Sequence, residues 1–349
     1  MTEDRLERQR RQLGPVELLD LADIARRYYL HDKSKVEIAE ELGLSRHKVA
    51  RSLLKARETG MVRISIDFPG DLDAALADQL ADAYQLRQVI VVDTPDRDPA
   101  VVEPLGCAGA RLVAKTVEEG ETLGIAVGPI LGSLTAQSSN LAACSVVQLT
   151  GALSSASAGE NPVELIRRVI RGNRGSTFPI NAPLFVTHPD AAAELRRQPG
   201  VQRALKQHSK VTTAVVTIGS WSPPYCTTLE ELPIEDRNRL TRQGVVAEIC
   251  TTMIDTDGHI VSTSLTDRFI SISAQQLAAI PNVIAVAGGP SKRLAVKAAL
   301  ASRLIHSLVT DVSTARYLLG AAVGAPLSSN PVPPRRGATT RNRVSDRRQ

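Results

Sequence analysis

The chain has 349 residues, with 42 Lys and Arg against 37 Asp and Glu. This length suffices for two domains that each bury a core, whereas no run approaches the roughly 18 apolar residues of a membrane span. The four cysteines and six histidines are scattered without paired spacing, which argues against a disulfide framework and a metal site. We therefore expect a soluble, cytoplasmic protein with no membrane partner, and residues 1–16 lack the apolar stretch of a signal peptide.

Positive charge is concentrated at the two ends of the chain. Residues 1–66 hold 14 Lys and Arg against 11 Asp and Glu, and residues 328–349 hold six Arg against one Asp. A basic head and tail around a mildly acidic body predict that a polyanion is contacted at the ends only. We interpret residues 1–16 as a flexible lead-in and residues 326–349 as a disordered basic tail, because apolar periodicity is missing there.

A first helix is predicted over residues 18–30, because its apolar residues fall on one side. We expect this side to pack under the two helices that follow. Tyr28 and Tyr29 lie near the end of the segment, and core packing is the ordinary role for such side chains. One of the two hydroxyl groups could instead contact a phosphate.

Two short helices separated by a tight turn are predicted after residue 34. Ser34 and Ser45 stand where N-caps are expected, directly before two apolar patterns of helical spacing. Gly43 follows the first pattern, at a position that requires a left-handed backbone. The small side chain of Ala39 allows two helices to cross closely, so the segment is typical of a helix-turn-helix.

The second of these helices carries a basic outward face. The candidate DNA-binding residues are Lys35, Ser45, Arg46, His47, Lys48 and Arg51. Basic side chains near the N-terminus of such a helix reach base edges and phosphates in the major groove of double-stranded DNA. An ordinary helical hairpin with a solvated basic face is the alternative. Residues 61–66 alternate like the strand of a wing, which favours a winged helix-turn-helix domain over residues 17–68.

The body of the chain alternates short apolar runs with helical segments. Strands are predicted at 87–94, 122–127, 145–149, 183–187, 213–218, 245–250, 283–287 and 307–310. Helices are predicted at 73–84, 108–119, 163–172, 191–198, 201–208, 291–303 and 313–319. This alternation predicts a Rossmann-like α/β domain over residues 69–325, with a mainly parallel sheet covered on both faces. Ligands of such sheets bind beyond the carboxyl ends of the strands.

One strand end has the composition of an anion site. A buried strand runs into Gly288 and Gly289, and a helix is predicted from about Ser291 with Lys292 in its first turn. Free amides at a helix N-terminus, a glycine pair that permits close approach and a lysine together favour an anion. A plain strand-to-helix turn with an incidental lysine is equally compatible with this stretch.

A carboxylate is predicted inside an apolar strand. Glu248 lies within the run at 245–250, where it must be ion-paired, hydrogen-bonded or placed at the mouth of a pocket. We interpret it as part of a pocket wall. Pairing with Arg268 or another buried cation is the alternative, and the two roles are compatible.

From residue 18 to residue 319 the chain resembles the SorC family, the sugar-binding transcriptional regulators sometimes grouped with DeoR. The N-terminal resemblance lies in ARRYY at 25–29 and EIAEELGLSRHKVARSLLKARETGMV at 37–62. The C-terminal resemblance lies in QLTGAL at 148–153, PINAPLFV at 179–186, GVVAEIC at 244–250, IPNVIAVAGGPSK at 280–292 and LVTDVSTA at 308–315. So many matches in the right order are highly specific for the family.

The resemblance implies a regulator whose C-terminal domain has a sugar-phosphate isomerase type of α/β fold without catalysis. A phosphorylated sugar or related metabolite is then the effector, no other cofactor is needed, and a dimer or tetramer binds operator DNA. Lys292 matches the family's phosphate-contacting lysine, Glu248 its acidic pocket residue and Gln148 its pocket-lining glutamine. Lys35 replaces a glutamine that is common in the family.

One loop departs from the family pattern. Residues 127–133 place Pro129 and Ile130 where the family usually has glycine and hydroxyl side chains, and Pro129 also lacks an N–H. Either the effector differs from an ordinary sugar phosphate, or Ser133 supplies the missing donor. Gly128 and Ser133 are therefore the effector contacts predicted in this loop.

An enzyme acting on sugar phosphates is the alternative to an effector-gated regulator. An isomerase needs a carboxylate base within reach of the substrate carbon, for which Glu248 and Asp255 are the candidates. An enzyme has no use for a basic outward helix face. We therefore favour a regulator of carbohydrate metabolism or uptake that is not an enzyme.

Overall fold

The computed structural model describes residues 14–62, 71–126, 141–153, 169, 175–222 and 226–322. The chain divides into two compact units, residues 1–67 and residues 68–349. Several predicted features lie wholly or mostly outside the described residues: the lead-in, the wing strand at 61–66, the helix at 163–172, the loop with Gly128 and Ser133, and the tail at 326–349.

In the first unit the described helices are α1 (Pro15–Tyr29), α2 (Lys35–Leu42) and α3 (Arg46–Glu58). The first helix begins earlier than predicted, within the predicted lead-in. Pro15 occupies the first helical turn, where its fixed φ suits the helix and its missing N–H is not needed. The predicted start of this helix at residue 18 is therefore too late.

The predicted caps and the predicted turn of the first unit are confirmed. The Ser34 hydroxyl accepts a hydrogen bond from the Glu37 amide at 3.3 Å, and the Glu37 carboxylate accepts one from the Ser34 amide at 2.8 Å. The Ser45 hydroxyl accepts a hydrogen bond from the Lys48 amide at 3.2 Å. Gly43 has a φ of +63°, in the left-handed region. Both helix starts and the turn between them are therefore fixed by local sequence.

Helices α1, α2 and α3 share one core. Its buried members are Ile24, Ala25, Ile38, Ala39, Val49, Leu53 and Ala56. Tyr28 and Tyr29 pack partly buried against this cluster, with ring centroids 4.9 Å apart in an edge-to-face arrangement. Packing is thus the observed role of both rings, and a phosphate contact through either hydroxyl stays a prediction.

The described strands run in chain order as β1 (Gln88–Val92), β2 (Thr122–Ile125), β3 (Ser145–Gln148), β4 (Thr177–Phe178), β5 (Thr213–Thr217), β6 (Gly219–Ser220), β7 (Val245–Ile249), β8 (Thr252–Asp255), β9 (Asn282–Val286) and β10 (Ser307–Asp311). Seven of them form a sheet in the order β1-β10-β9-β5-β2-β3-β4. Every pairing in this sheet is parallel. The mainly parallel sheet predicted from the sequence is confirmed.

The described helices of the second unit are α4 (Ala74–Tyr84), α5 (Asp98–Thr116), α6 (Pro189–Arg197), α7 (Pro199–Gln207), α8 (Thr227–Glu231), α9 (Ile234–Arg242), α10 (Ala274–Ala279), α11 (Arg293–Ala301) and α12 (Val312–Ala322). Short 3-10 turns occur at His208–Lys210, Thr266–Arg268 and Pro290–Lys292. The sequence pattern predicts none of α8, α9 and α10, because each is short and buries few apolar side chains. Across the described ranges, every helix falls short of the length and apolar content that a membrane crossing requires.

Alternate residues of the central strands face two separate cores. In β9, Val283 and Ala285 belong to the cluster that α4, α11 and α12 cover, whereas Ile284 and Val286 belong to the cluster that α5 covers. Strands buried on both faces are apolar throughout. This double cover explains why the strands read as continuous apolar runs in the sequence.

The predicted strand at 245–250 exists, but it lies in a different sheet. Strands β6, β7 and β8 pair antiparallel. Strand β7 turns directly into β8 through Cys250 and Thr251, whose φ angles are +48° and +68°, as the favoured two-residue hairpin turns require. Neither residue is a usual turn former, so the sequence gives no sign of the hairpin.

The strand predicted at 183–187 is wrong. The segment makes isolated bridges only, between Pro183 and Ala152 and between Phe185 and Phe269. Pro183 has no N–H to donate to a ladder, which disfavours a regular strand at this position.

Replacing Gly43 tests how much the left-handed turn between α2 and α3 contributes to the stability of the first unit. A Cβ at Gly43 meets nothing within 4 Å, so any loss of stability arises from the left-handed backbone alone. We expect Gly43→Ala to lower the free energy of unfolding by about 1 kcal/mol, measured by urea denaturation. Gly43→Asn should lose less, because asparagine tolerates this conformation; equal losses in the two variants would contradict this explanation.

Candidate nucleic-acid interface and ligand cavity

The outward face of α3 presents a row of polar and positive side chains. Arg46, His47, Lys48 and Arg51 are all exposed. Within the described residues, none of these four side chains is held by a hydrogen bond or an ion pair. Four uncommitted side chains at the N-terminal half of one helix are available to an external polyanion.

The other two candidate DNA contacts are already used within the first unit. The Ser45 hydroxyl caps α3, which engages one lone pair and leaves its proton available to a phosphate oxygen. Lys35 is half-buried, and its ammonium lies 5.7 Å from the centroid of the Tyr28 ring. Lys35 is therefore partly held by a cation–π contact in the free protein.

One flank of the basic face borders negative charge. Lys48 and Arg51 line a groove together with Glu17, Asp20 and Asp23 of α1. Glu17 is paired with Lys55 and Asp23 with Arg27. The positive and negative charges of the groove therefore largely balance, and the groove does not direct a polyanion to one side of α3.

A cavity of about 260 Å³ lies at the carboxyl edge of the parallel sheet. Its walls include Thr217 at the end of β5, Val286 and Gly288 at the end of β9, and Asp98 in the first turn of α5. This is the edge at which parallel α/β sheets bind ligands. The volume is near the lower end for ligand pockets, which suits a small molecule.

Glu248 lies in the wall of this cavity, as predicted. It is 7% exposed, and its carboxylate accepts hydrogen bonds from the Thr228 hydroxyl at 3.0 Å and the Thr251 amide at 2.8 Å. Burial raises the pKa of Glu248, while these hydrogen bonds and Lys292 oppose the rise. A Cβ on Gly219, opposite Glu248 in the sheet, would lie 2.7 Å from the Glu248 Cγ, so this pairing requires glycine.

The alternative role of Glu248 as the partner of Arg268 is wrong. The Arg268 guanidinium donates to the Asp236 carboxylate at 3.1 Å and to the Val186 carbonyl at 3.2 Å. It also stacks 4.5 Å from the centroid of the Phe185 ring. Arg268 and Asp236 form a partly buried ion pair outside the cavity, and Glu248 lies in the cavity wall.

Lys292 also lines the cavity, but it is placed differently from the prediction. It ends the 3-10 turn Pro290–Lys292 and precedes α11, instead of lying inside the first turn of a longer helix. Burial lowers the pKa of the Lys292 ammonium, and nearby Cys226, Glu248 and Asp98 oppose the fall. Within the described residues, no hydrogen bond or salt bridge satisfies this ammonium. It is therefore the cavity's natural contact for an anionic group.

The glycine pair before Lys292 accommodates anions that belong to the protein itself. The Gly289 amide donates to the Asp311 carboxylate at 2.7 Å, and the Ser291 amide donates to the Asp98 carboxylate at 3.2 Å. A Cβ on Gly288 would lie 2.2 Å from an Asp311 oxygen. Gly288 lines the cavity, whereas Gly289 does not. The amides of Gly289 and Ser291 are thus occupied by carboxylates of the protein, whereas the sequence pattern predicted free amides at this helix start.

Gln148 does not line the cavity. It is fully buried, its amide donates to the Thr150 carbonyl at 2.7 Å, and its oxygen accepts from the Ile180 amide at 3.0 Å. Both ends of the side chain are thus occupied by backbone groups. The described structure gives Gln148 the role of joining β3 to the neighbouring segment, in place of the predicted ligand contact.

The thiols at the cavity are poor nucleophiles. The four cysteines are free, as predicted, and Cys226 and Cys250 both line the cavity. Burial raises the pKa of Cys226 to about 12, so its thiol is protonated at neutral pH and lacks the thiolate that covalent chemistry uses.

Asp255, the second candidate base, lies away from the cavity. It starts an exposed turn in which its carboxylate accepts hydrogen bonds from the amides of Asp257 and His259, at 2.9 and 2.8 Å. The side-chain ligand atoms of these three residues lie within 4.8 Å of one another. The sequence pattern does not predict this grouping, and exposed acidic turns of this kind are stabilised by their own backbone amides.

Three of the predicted effector contacts meet in the cavity: Glu248, Gly288 and Lys292. Asp98 and Thr228 also line the cavity, and neither was predicted from the sequence. A helix start could have been recognised at Asp98, because an Asp-Pro pair precedes an apolar helical pattern just after β1. No comparable signal marks Thr228, since α8 is short.

Comparison with known proteins gives a consistent result. Residues 71–320 match the family model described as a putative sugar-binding domain. The chain is 28% identical to the deoxyribonucleoside regulator of Bacillus subtilis, over 85% of this chain and 96% of that protein. It is 30% identical to the transcriptional regulator LsrR of an Enterobacter species, over 86% of this chain and 93% of that protein.

Solved structures agree on the fold. The full-length sorbitol operon regulator SorC of Klebsiella pneumoniae superposes with a TM-score of 0.62 at 23% identity, covering 88% of this chain and 100% of that chain. A domain described as that of "a possible sugar-binding transcriptional regulator" from Arthrobacter aurescens gives a TM-score of 0.61 at 24% identity, covering 73% of this chain and 100% of that chain. The chain therefore belongs to the SorC/DeoR-type family of transcriptional regulators that carry this sugar-binding domain.

Proposed function

We propose that the protein binds operator DNA through α3 and that a sugar-phosphate-like metabolite in the cavity controls this binding, so that genes of carbohydrate metabolism or uptake are regulated. The observation that carries the proposal is that Glu248 and Lys292 line the same small cavity, in a chain whose helix α3 also presents exposed basic side chains that the described residues do not pair. The proposal includes a cytoplasmic location and a homo-oligomer, either a dimer or a tetramer.

The DNA-binding half of the proposal rests on α3. Its N-terminal half carries exposed Arg46, His47, Lys48 and Arg51, and the major groove of B-form DNA admits a helix of this size. Arginine recognises guanine edges with two hydrogen bonds, and lysine contacts phosphates. A solvated basic hairpin explains the same exposure less well, because the chain belongs to a regulator family.

The effector half of the proposal rests on complementary chemistry in the cavity. A carboxylate such as Glu248 accepts hydrogen bonds from sugar hydroxyl groups, and an ammonium such as Lys292 pairs with a phosphate. The names of two relatives, a deoxyribonucleoside regulator and a sorbitol operon regulator, support a small carbohydrate as the effector. Gly128 and Ser133 complete the proposed contacts, from a loop outside the described residues.

Removing a cation from the recognition face should weaken DNA binding. We expect Arg46→Ala or Arg51→Ala to lower affinity for a specific DNA fragment by about 1–3 kcal/mol if a base contact is lost, measured by fluorescence anisotropy at fixed salt. Arg57→Ala is the matched control, because Arg57 is exposed on the last turn of the same helix. Equal losses in all three variants would show a diffuse charge effect and contradict the assignment of a recognition face.

Removing the cavity ammonium should reduce the response to phosphosugars. In a thermal-shift screen of phosphosugars, polyols and free sugars, we expect Lys292→Ala to lose most of the stabilisation that a phosphosugar gives the unmodified protein. Lys297→Ala is the control, because Lys297 lies on the same helix but does not line the cavity. Undiminished protection of Lys292→Ala would refute a phosphate contact at this residue.

Isomerase activity is the second candidate function, and the position of Glu248 in the cavity is the observation that favours it. We propose that no catalysis occurs, because both hydrogen bonds to Glu248 come from fixed protein groups and the cavity thiols are protonated. We expect phosphosugar interconversion by the protein to equal that of Glu248→Gln. Sustained turnover that the Gln variant loses would contradict a purely regulatory function.

A further inference from the structure

The Asp98 carboxylate lies at the turn before α11, where the sequence pattern predicts a bound anion. Asp98 is the first residue of α5, it lines the cavity, and its Oδ1 atom accepts a hydrogen bond from the Ser291 amide at 3.2 Å. Ser291 immediately precedes Lys292, so the carboxylate is bound to the same short turn that carries the cavity ammonium.

The glycine at the start of this turn has no side chain and thereby leaves room for that carboxylate. Gly289 has a φ of +96°, and a Cβ there would lie 2.5 Å from the Asp98 Oδ1 atom and 3.4 Å from the Asp98 Cα. A Cβ at this position would displace the Asp98 carboxylate from the turn, while the backbone of α5 lies at ordinary van der Waals distance. The close approach that Gly289 permits is therefore used by Asp98.

The charges around the turn affect how an anionic ligand binds there. Asp98 is one of the negative groups that support the charged form of Lys292, together with Glu248. It binds Ser291 through an amide, however, and makes no hydrogen bond with the Lys292 ammonium among the described residues. An incoming phosphate at Lys292 thus meets a like charge on the adjacent amide, where repulsion across a partly buried site is strong.

We infer that Asp98 is a specificity-determining residue that competes with the anionic group of the effector for the turn at Ser291 and Lys292. This inference rests on the proposed function, in which that anionic group contacts Lys292. The protein's own Asp98 carboxylate accepts the hydrogen bond from the Ser291 amide. A phosphate therefore binds tightly only when its remaining contacts, such as sugar hydroxyl groups at Glu248, compensate for displacing Asp98, so free phosphate binds more weakly than a phosphosugar.

The test is the affinity of the full-length protein for inorganic phosphate, measured by isothermal titration calorimetry. Asp98→Asn keeps an oxygen that can accept from the Ser291 amide but removes the charge. We expect this variant to bind phosphate about tenfold more tightly than the unmodified protein, the size of one opposing charge in such a site. Asp96→Asn is the matched control, because Asp96 bonds to Arg293 and Ser313 and does not line the cavity.

The outcomes separate this inference from the proposed function. A gain in Asp98→Asn that Asp96→Asn does not share, and that is lost in the double variant Asp98→Asn with Lys292→Ala, supports competition at the turn. An unchanged or weaker affinity, no measurable phosphate binding in Asp98→Asn, or an equal gain in Asp96→Asn overturns the inference. If the gain persists without Lys292, Asp98 repels anions elsewhere, and the proposed contact at Lys292 fails instead.

Discussion

The cavity of the second unit holds an ammonium and two carboxylates close together, and all three are partly shielded from solvent. Charges removed from water are tolerated only when they are paired or hydrogen-bonded. Both carboxylates are hydrogen-bonded, Glu248 to Thr228 and Thr251 and Asp98 to the Ser291 amide. The Lys292 ammonium, in contrast, has no direct partner among the described residues. A site with one unsatisfied cation is prepared for a ligand that carries the missing anion.

The parallel sheet explains why these residues meet. Strands β5 and β9 end at the same edge, and β10 brings Asp311 to the glycine pair. The segment after β9 supplies Lys292, and the segment after β1 supplies the start of α5. The hairpin of β7 and β8 then places Glu248 against the edge from outside the main sheet. Residues that are far apart in the chain thus form one site, because the carboxyl ends of parallel strands converge.

The helix-turn-helix was predictable almost entirely from local sequence. Ser34, Gly43 and Ser45 each act on backbone groups a few residues away, so their roles can be read without knowledge of the fold. Most strands of the main sheet were predictable for a similar reason, because burial on both faces makes them continuously apolar. The first half of α5 is missing from the predicted elements, since Pro104 lies inside that helix and breaks the expected pattern, although the Asp-Pro pair at its start is a usable signal.

The site was predictable in its residue types but not in its pairings. Glu248 was correctly predicted to lie in a cavity wall, yet nothing local indicates that Asp98 and Asp311 accept hydrogen bonds from the amides of Ser291 and Gly289. Gln148 illustrates the same limit, because its partners come from Thr150 and from the distant Ile180. Side chains whose partners are remote in sequence require the fold before their role can be assigned.

Coupling between the two units is the central claim, and one measurement tests it directly. DNA selected from a random-sequence library by the full-length protein is titrated by fluorescence anisotropy, at fixed salt, with and without a phosphosugar that stabilises the protein. The account predicts that a saturating phosphosugar changes the Kd for this DNA by about tenfold, corresponding to ~1.4 kcal/mol of coupling. An identical Kd with and without the bound phosphosugar would contradict it.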